Sequence, residues 1–362
     1  MIKAGIIGAT GYAGVELFRI LLRHPEVEKI YASSVSFEGQ QIESIYRNLR
    51  GQLGSKSDGM LLTADEVKEK SDIIFTALPH GIAEQYADYC VKHDKKLIDL
   101  SADFRYGTDE DTFKTWYKKD WDYPEVHKES VYGLPEMNRE AIRRARIIGN
   151  PGCYVTSATL ALLPALREKL VQTELIIVDS KSGVTGAGRT PSMSNQFCEC
   201  GESFSAYKIG SHRHQSEIQR NCSLLAGREV NIVFTPHLIP QNRGILSTIY
   251  APFTPEGKMR IAELAKEKGD AAEAVRSIYR LAYSDEPFVR VLPAGVDATT
   301  RVVRYSNYCD IQCYVVNGGN MLELVSCLDN MVKGAAGQAV QNMNLLYGLP
   351  ETTAIDFVPP AF

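Results

Sequence analysis

The stretch Ala4-Gly5-Ile6-Ile7-Gly8-Ala9-Thr10-Gly11-Tyr12-Ala13-Gly14 decides the fold. A short apolar strand runs into a turn of three glycines. Behind it Val15, Leu17, Phe18, Leu21 and Leu22 keep a helical spacing. Gly8 permits the tight turn, Gly11 lets backbone approach a pyrophosphate, and Gly14 allows close helix–strand packing. Thr10, Tyr12 and Ala13 lie between them and share the expected cofactor-binding role. The spacing is G-x-x-G-x-x-G, not the standard G-x-G-x-x-G. What carries the reading is the strand before, the helix after and the place in the chain. The alternative is a βα turn without a ligand.

Outward from this turn, residues 1–150 alternate strand and helix. Val27 to Ser33 reads as a second strand, and Ile73 to Leu78 as a strand buried on both faces. Pro79-His80-Gly81 breaks that run, a helix is predicted over Ile82 to His93, and Leu97 to Leu100 is another strand. The expected fold class is α/β: a doubly wound, Rossmann-type domain followed by an α+β catalytic domain. Segment 105–135 reads as a long irregular excursion. The second domain is expected over 151–332, with strands close in sequence forming a largely antiparallel sheet. Asn317 to Asn320 is its hairpin turn. Lys333 to Leu346 is a small-residue helix, expected to return with residues 333–362 to the first domain.

The second informative stretch is Gly149-Asn150-Pro151-Gly152-Cys153-Tyr154-Val155-Thr156. A cysteine follows a tight turn at the mouth of an apolar helical run. There the helix dipole and unpaired N–H groups favour the thiolate and stabilise an oxyanion. The bland alternative is a buried apolar cysteine. His212, Arg213 and His214 stand beside an apparent helix start over His214 to Leu225. Histidine titrates near neutral pH, as a general acid–base requires. Two residues apart, His212 and His214 diverge in a regular helix but face one pocket from a loop or cap. His214 and Glu217 share one helical face. Arg105, just past a strand end, and Arg213 are candidates to clamp an anionic substrate; each is otherwise a surface arginine with a local partner.

Composition narrows the function classes. The 362 residues are 44% hydrophobic and 23% charged, as in ordinary globular proteins. A net charge of −4 argues against nucleic acid as the main partner. No run is long and apolar enough to span a bilayer. The chain enters its first strand without a secretory signal, so a cytoplasmic location is expected. The eight cysteines have no framework spacing and are read as reduced thiols, with Cys309, Cys313 and Cys327 in the core. Cys198-Glu199-Cys200 and His212-Arg213-His214 offer zinc-type donors, but C-x-C is unusual for structural zinc, and no metal is expected.

Taken together, Gly8 to Gly14, Ala77 to Gly81, Leu100 to Arg105, Tyr132 to Glu136, Gly149 to Thr156, Ser182 to Arg189, His212 to Glu217 and Lys333 to Asn342 resemble the N-acetyl-γ-glutamyl-phosphate reductases. These belong to the aspartate-semialdehyde dehydrogenase group. The resemblance spans essentially the whole chain. Ser157 departs from it, since Gly or Ala usually follows the threonine. The resemblance implies NADPH-dependent reduction of N-acetylglutamyl phosphate to the 5-semialdehyde, in arginine biosynthesis, through a thioester on Cys153. It supports the histidine cluster, and His212 is taken as the proton-transfer group. Leu78 and Pro79 are placed in the cofactor cleft, Ser182 and Gly183 beside the nicotinamide, and Asn342 at its carboxamide. NADP(H) is expected over NAD(H), because the second strand ends in Ser33-Ser34 without the acid that would repel a 2′-phosphate. Partners are the small substrate, phosphate and further copies of the chain, as a dimer or tetramer. Three rivals stay open: aspartate-semialdehyde dehydrogenase, a lysine-pathway homologue one carbon longer, and a non-catalytic dinucleotide sensor.

Overall fold

The computed structural model describes residues 1–362. They divide into one unit of residues 1–152 with 335–357 and another of 153–334 with 358–362.

The first unit is built on seven strands: β1 (Ile2–Ile7), β2 (Val27–Ser33), β3 (Leu61–Leu62), β4 (Ile73–Thr76), β5 (Lys96–Asp99), β6 (Ser130–Tyr132) and β7 (Ile147–Gly149). Their order is β3-β2-β1-β4-β5-β7-β6, every pair parallel. β4 is buried along its whole length, as its unbroken apolar run requires. The chain runs outward from β1 to β3 on one side and from β4 on the other. The switch point therefore falls between β1 and β4, where ligands bind outside the carboxyl ends of the strands. Gly8 and Ala77 stand at those two ends.

Two parts of this unit differ from the sequence reading. Segment 105–135 is ordered. Asp109 caps a helix over Glu110–Tyr117 by accepting the Thr112 N–H at 3.1 Å, and a 3₁₀ turn, Pro124–Glu129, leads into β6. Tyr106, Phe113, Tyr117 and Trp121 form its own small core, which helical spacing does not reveal. The helix predicted from Ile82 begins at Glu84. The residues before it are held in a loop instead: the Asp103 carboxylate accepts N–H from Gly81 (2.6 Å), Ile82 (3.1 Å) and Ala83 (3.0 Å).

The second unit carries β8 (Ile176–Ser182), β9 (Ser205–Ala206), β10 (Ile232–Leu238), β11 (Ile245–Pro252), β12 (Val289–Val291), β13 (Cys309–Val316) and β14 (Met321–Leu328). Their order is β12-β13-β14-β11-β8-β10-β9. Most pairs are antiparallel, but β8–β10 and β12–β13 are parallel, so the sheet is mixed. The sequence misses those two because their connections run through long segments that local alternation does not pair. β11 alternates buried and half-buried along its length, the mark of a sheet with one covered face. The helix Cys153–Arg167 lies on that face, apolar all round and buried at all but its two end residues. Cys309, Cys313 and Cys327 are fully buried. The hairpin between β13 and β14 turns through Asn317, Gly318 and Gly319, all at positive φ. The small-residue segment opens with a π turn, Val332–Ala336, before the helix Gly337–Leu346.

Candidate active site

The loop after β1 is shaped by what surrounds it. Gly8 sits at φ +92°, and a Cβ there would stand 2.4 Å from the Ala77 carbonyl oxygen. A Cβ on Gly14 would stand 2.3 Å from the Gly8 oxygen, so both glycines are required by packing. Gly11 meets nothing closer than 3.5 Å, and the helix Tyr12–Leu21 starts there without a side-chain cap or an acid in its first turn. First-turn amides left uncapped form an anion site. The Ser33 carbonyl accepts the N–H of Gly8 (3.2 Å) and Ala9 (2.9 Å), and Thr10 Oγ1 lies 2.6 Å from Ser34 Oγ. The fold thus gathers Gly8, Thr10, Ser33 and Ser34. Leu78 approaches the same turn, its Cδ2 being 3.4 Å from a Cβ built on Gly8, with Pro79 next in the chain.

In the same unit the segment Gly149–Gly152, where the sequence predicts a tight turn, runs from β7 to Cys153 without one, and it is tightly held. Gly149 has no room for a Cβ, which would fall 2.2 Å from the Phe104 oxygen. Arg105 is buried and braces this segment, donating from Nε to the Asn150 oxygen (2.7 Å) and from Nη2 to the Leu100 oxygen (3.0 Å). Asn342 donates its amide to the Gly133 oxygen (2.8 Å) and to Asn150 Oδ1 (3.1 Å). Its own carbonyl oxygen is buried without a protein donor. That orphan acceptor, with the uncapped helix start and the acid-free tip of β2, fits a nicotinamide dinucleotide.

In the second unit, Cys153 is the first residue of its helix and is half-buried. Tyr154 follows it and gathers the rest. Its hydroxyl lies 3.2 Å from that of Tyr207 and donates to the His237 carbonyl at 3.2 Å. Its ring packs edge-on against His212 (5.7 Å), His214 (5.9 Å) and Phe234 (5.3 Å). Tyr207 and Phe234 close on His212 from other sides, at 5.5 and 5.4 Å. Burial raises both phenols, and negative charge on Cys153 adds to the effect; Tyr207 is pushed up to about 12.

His212 precedes the helix His214–Ala226, with Arg213 at the N-cap, so both histidines share one pocket 4.8 Å apart. His212 Nδ1 accepts the His214 N–H at 3.1 Å. The neutral ring must then carry its hydrogen on Nε2. Burial lowers the His212 pKa to about 4, with Lys208 and Arg213 adding to the effect. The titration expected near neutrality therefore moves to acid pH. Glu217 is fully buried one turn into the helix, and Arg213 is half-buried. Ser182 is buried at the end of β8, and Gly183 has no room for a Cβ beside the Asn242 oxygen (2.6 Å).

Sequence reasoning missed Tyr154, Tyr207 and Phe234 as the walls of the histidine pocket. Tyr154 had a usable signal, its place beside Cys153; the other two had none. It also missed a pair next to the pocket, His237 Nδ1 at 3.1 Å from Asp179 Oδ1. No group of three or more His, Cys, Asp or Glu side chains is placed to hold a metal ion.

Comparisons with known proteins follow the division into units. The family described as semialdehyde dehydrogenase, NAD binding domain, matches residues 3–145. The one described as semialdehyde dehydrogenase, dimerisation domain, matches residues 153–330. The chain is 46% identical to the N-acetyl-γ-glutamyl-phosphate reductase of Clostridium botulinum (strain Eklund 17B / Type B) over 362 residues, covering all of both chains. It is 45% identical to that of Brachyspira hyodysenteriae over 369 residues, again covering both completely. Among solved structures, aspartate semialdehyde dehydrogenase II of Vibrio cholerae, complexed with ASA, matches with a TM-score of 0.69 at 16% identity, covering 96% of this chain and 98% of that one. Aspartate semialdehyde dehydrogenase with NADP from Candida albicans matches with a TM-score of 0.64 at 14% identity, covering 96% and 99%. At such identities these two speak for the fold alone.

Proposed function

The chain belongs to the N-acetyl-γ-glutamyl-phosphate reductases, within the semialdehyde dehydrogenase group, and we propose here which of its residues carry their reaction. It is an oxidoreductase that reduces N-acetyl-γ-glutamyl phosphate to N-acetylglutamate 5-semialdehyde and phosphate, a step of arginine biosynthesis.

Cys153 is the nucleophile. Its thiolate attacks the acyl carbon, the bond from that carbon to the phosphate oxygen breaks, and phosphate leaves a thioester. A nicotinamide cofactor held at the Gly8–Gly14 loop would supply the hydride that the thioester carbonyl takes up. His212 faces the oxygen that becomes negative and donates from Nε2, the nitrogen its contact with the His214 amide leaves protonated. Collapse breaks the carbon–sulfur bond, releases the aldehyde and returns the thiolate. The observation that carries this reading is Tyr154: adjacent to Cys153 in the chain, it packs its ring on His212.

Arg213 at the N-cap, with His214 and Glu217 behind it, is assigned to the substrate's anionic groups. Arg105 gives two donors to backbone carbonyls, so it is assigned to bracing the segment that leads into Cys153. The cofactor is NADP(H), held at Gly8 to Gly14, with Ser33 and Ser34 toward the 2′-phosphate and Leu78 and Pro79 along the cleft. Asn342 offers its buried side-chain oxygen to the carboxamide.

A homo-oligomer forms through the second unit. The sheet face opposite the helix Cys153–Arg167 carries Val233, Ile177, Tyr250, Glu323 and Tyr314 on one cross-strand rung, with Val233 and Ile177 exposed. The test of the whole reading is phosphate-dependent NADP reduction by N-acetylglutamate semialdehyde, run beside aspartate semialdehyde and the one-carbon-longer homologue. A kcat/KM higher for either competitor overturns it. Sedimentation of the purified chain as a monomer at micromolar concentration overturns the oligomer.

A further inference from the structure

We propose that Gly334 is a positioning residue for Cys153, an inference that rests on Cys153 being the nucleophile. Gly334 lies in the π turn Val332–Ala336, a geometry that recurs at functional sites. A Cβ built on it would stand 2.8 Å from Cys153 Cβ and 3.3 Å from both Cys153 Cα and the Asp329 oxygen. Real Cβ atoms do not approach so closely, so any side chain here displaces the first residue of the nucleophile's helix or the turn itself.

The turn has nowhere to retreat. Gly334 N–H donates to the Asp329 carbonyl at 2.9 Å, and Val332 N–H donates to the same oxygen at 3.2 Å. The Asp329 carboxylate is fully buried. It accepts N–H from Met331 (2.8 Å) and Val332 (3.2 Å) on one oxygen and from Tyr305 (2.6 Å) on the other, with Arg243 Nη1 at 3.5 Å from both. Asn330 extends the clamp, accepting the Gly244 N–H at 2.8 Å and donating to Thr185 Oγ1 at 2.9 Å, in the glycine-rich segment after β8. The Gly334 backbone is thus a fixed wall against which the Cys153 side chain is set.

The test compares wild type with Gly334→Ala, Asp329→Asn and Gly257→Ala. The last introduces the same kind of clash in the same unit, 2.2 Å from the Leu170 oxygen, with no contact to Cys153. The readouts are kcat, KM, NADPH affinity, melting temperature and the iodoacetamide alkylation rate of Cys153 across pH. Gly334→Ala is expected to lower kcat and alkylation together by about tenfold to 100-fold, the cost of misplacing a reacting group by about 1 Å, with NADPH affinity unchanged. Gly257→Ala is expected to lower the melting temperature and leave alkylation unchanged. Asp329→Asn adds no Cβ and loosens the clamp, so it is expected to slow both rates by a smaller factor and shift the alkylation pH profile. It decides the matter if Gly334→Ala does not fold. The proposal is overturned if kcat and alkylation stay within about twofold of wild type in the deciding variant, or if Gly257→Ala slows alkylation equally. Loss of activity tracking alkylation of a different cysteine overturns the nucleophile assignment instead, while leaving the Gly334 contact as it stands.

Discussion

The nucleotide-binding loop and the histidine pocket are built in opposite ways. The loop is made of backbone. Gly8, Gly11 and Gly14 stand three positions apart, and their work is to leave space and expose amides. The pocket is made of side chains drawn from residues 154, 207, 212, 214 and 234, and its work is to set the protonation of one buried ring. A site made of backbone tolerates changes in side chains around it and fails when a Cβ is added. A site made of side chains fails at one atom. Substitutions that separate the two kinds of failure test the comparison.

The largest effect is expected at the nucleophile. Cys153→Ala removes the only atom of the reaction that the chain itself bonds to substrate. Turnover should fall on the order of 10⁴–10⁶-fold. NADPH affinity should stay within about twofold, because nothing in the Gly8–Gly14 loop changes. Substantial residual turnover sinks the thioester, while lost NADPH affinity shows that the loop does not act alone.

His212→Asn is expected to cost on the order of 10²–10³ in kcat, the range for losing one oxyanion donor, and to spare iodoacetamide alkylation of Cys153. With the ring's pKa lowered by burial to about 4, wild type holds His212 neutral throughout the neutral range. Its contribution to the kcat profile is therefore a limb at acid pH. The variant should lose that limb and keep its neutral plateau shape. An unchanged rate and profile in His212→Asn, with both lost in His214→Asn, moves the role to His214.

The loop's specificity gives a smaller effect. Ser34→Asp places a carboxylate where Thr10 Oγ1 now meets the serine hydroxyl at 2.6 Å. It should lower kcat/KM for NADPH by at least about tenfold, roughly 1.4 kcal/mol, with a lesser change for NADH. Equal losses for both cofactors would place the 2′-phosphate elsewhere.

These contrasts also explain what the sequence made legible. The doubly wound unit could be read because its signals are local: a strand, a glycine turn and a helix in one window, and a β4 so buried that it is apolar without alternation. Cys153 was legible for the same reason, standing at the head of an apolar helix of its own neighbourhood, although the turn expected before it is absent. The ordered helix at Glu110–Tyr117 was not, because its core is four aromatic side chains in an otherwise polar segment. Nor was the parallel pairing of β8 with β10, which joins residues some fifty positions apart. The acid pKa of His212 was the least legible of all, since it is a property of burial, and a free histidine reads as neutral-titrating.

The smallest effect concerns the first unit's one buried acid with a large shift. Asp99, at the end of β5, is fully buried; desolvation, and then the neighbouring Asp103 carboxylate, raise its pKa to about 7. It accepts Thr76 Oγ1 (2.7 Å), the Ser101 N–H (3.0 Å) and Ser101 Oγ (2.6 Å), which offset part of that cost. In the unfolded chain an aspartate titrates near about 3.9. Between about pH 4 and 7 the folded state therefore holds more protons than the unfolded state, and linkage makes Asp99's contribution to stability fall as pH rises through that window. Asp99→Asn cannot ionise and keeps an acceptor for Thr76. The denaturation midpoint of wild type should thus decline relative to the variant from pH 4 to 7 and run parallel to it above. By pH 8 the gap is expected to have reached its full size. A gap that is constant with pH would assign the proton elsewhere. One that grows in favour of wild type would mean the three donors hold Asp99 ionised, and the backbone-built unit would then carry a tuned side chain after all.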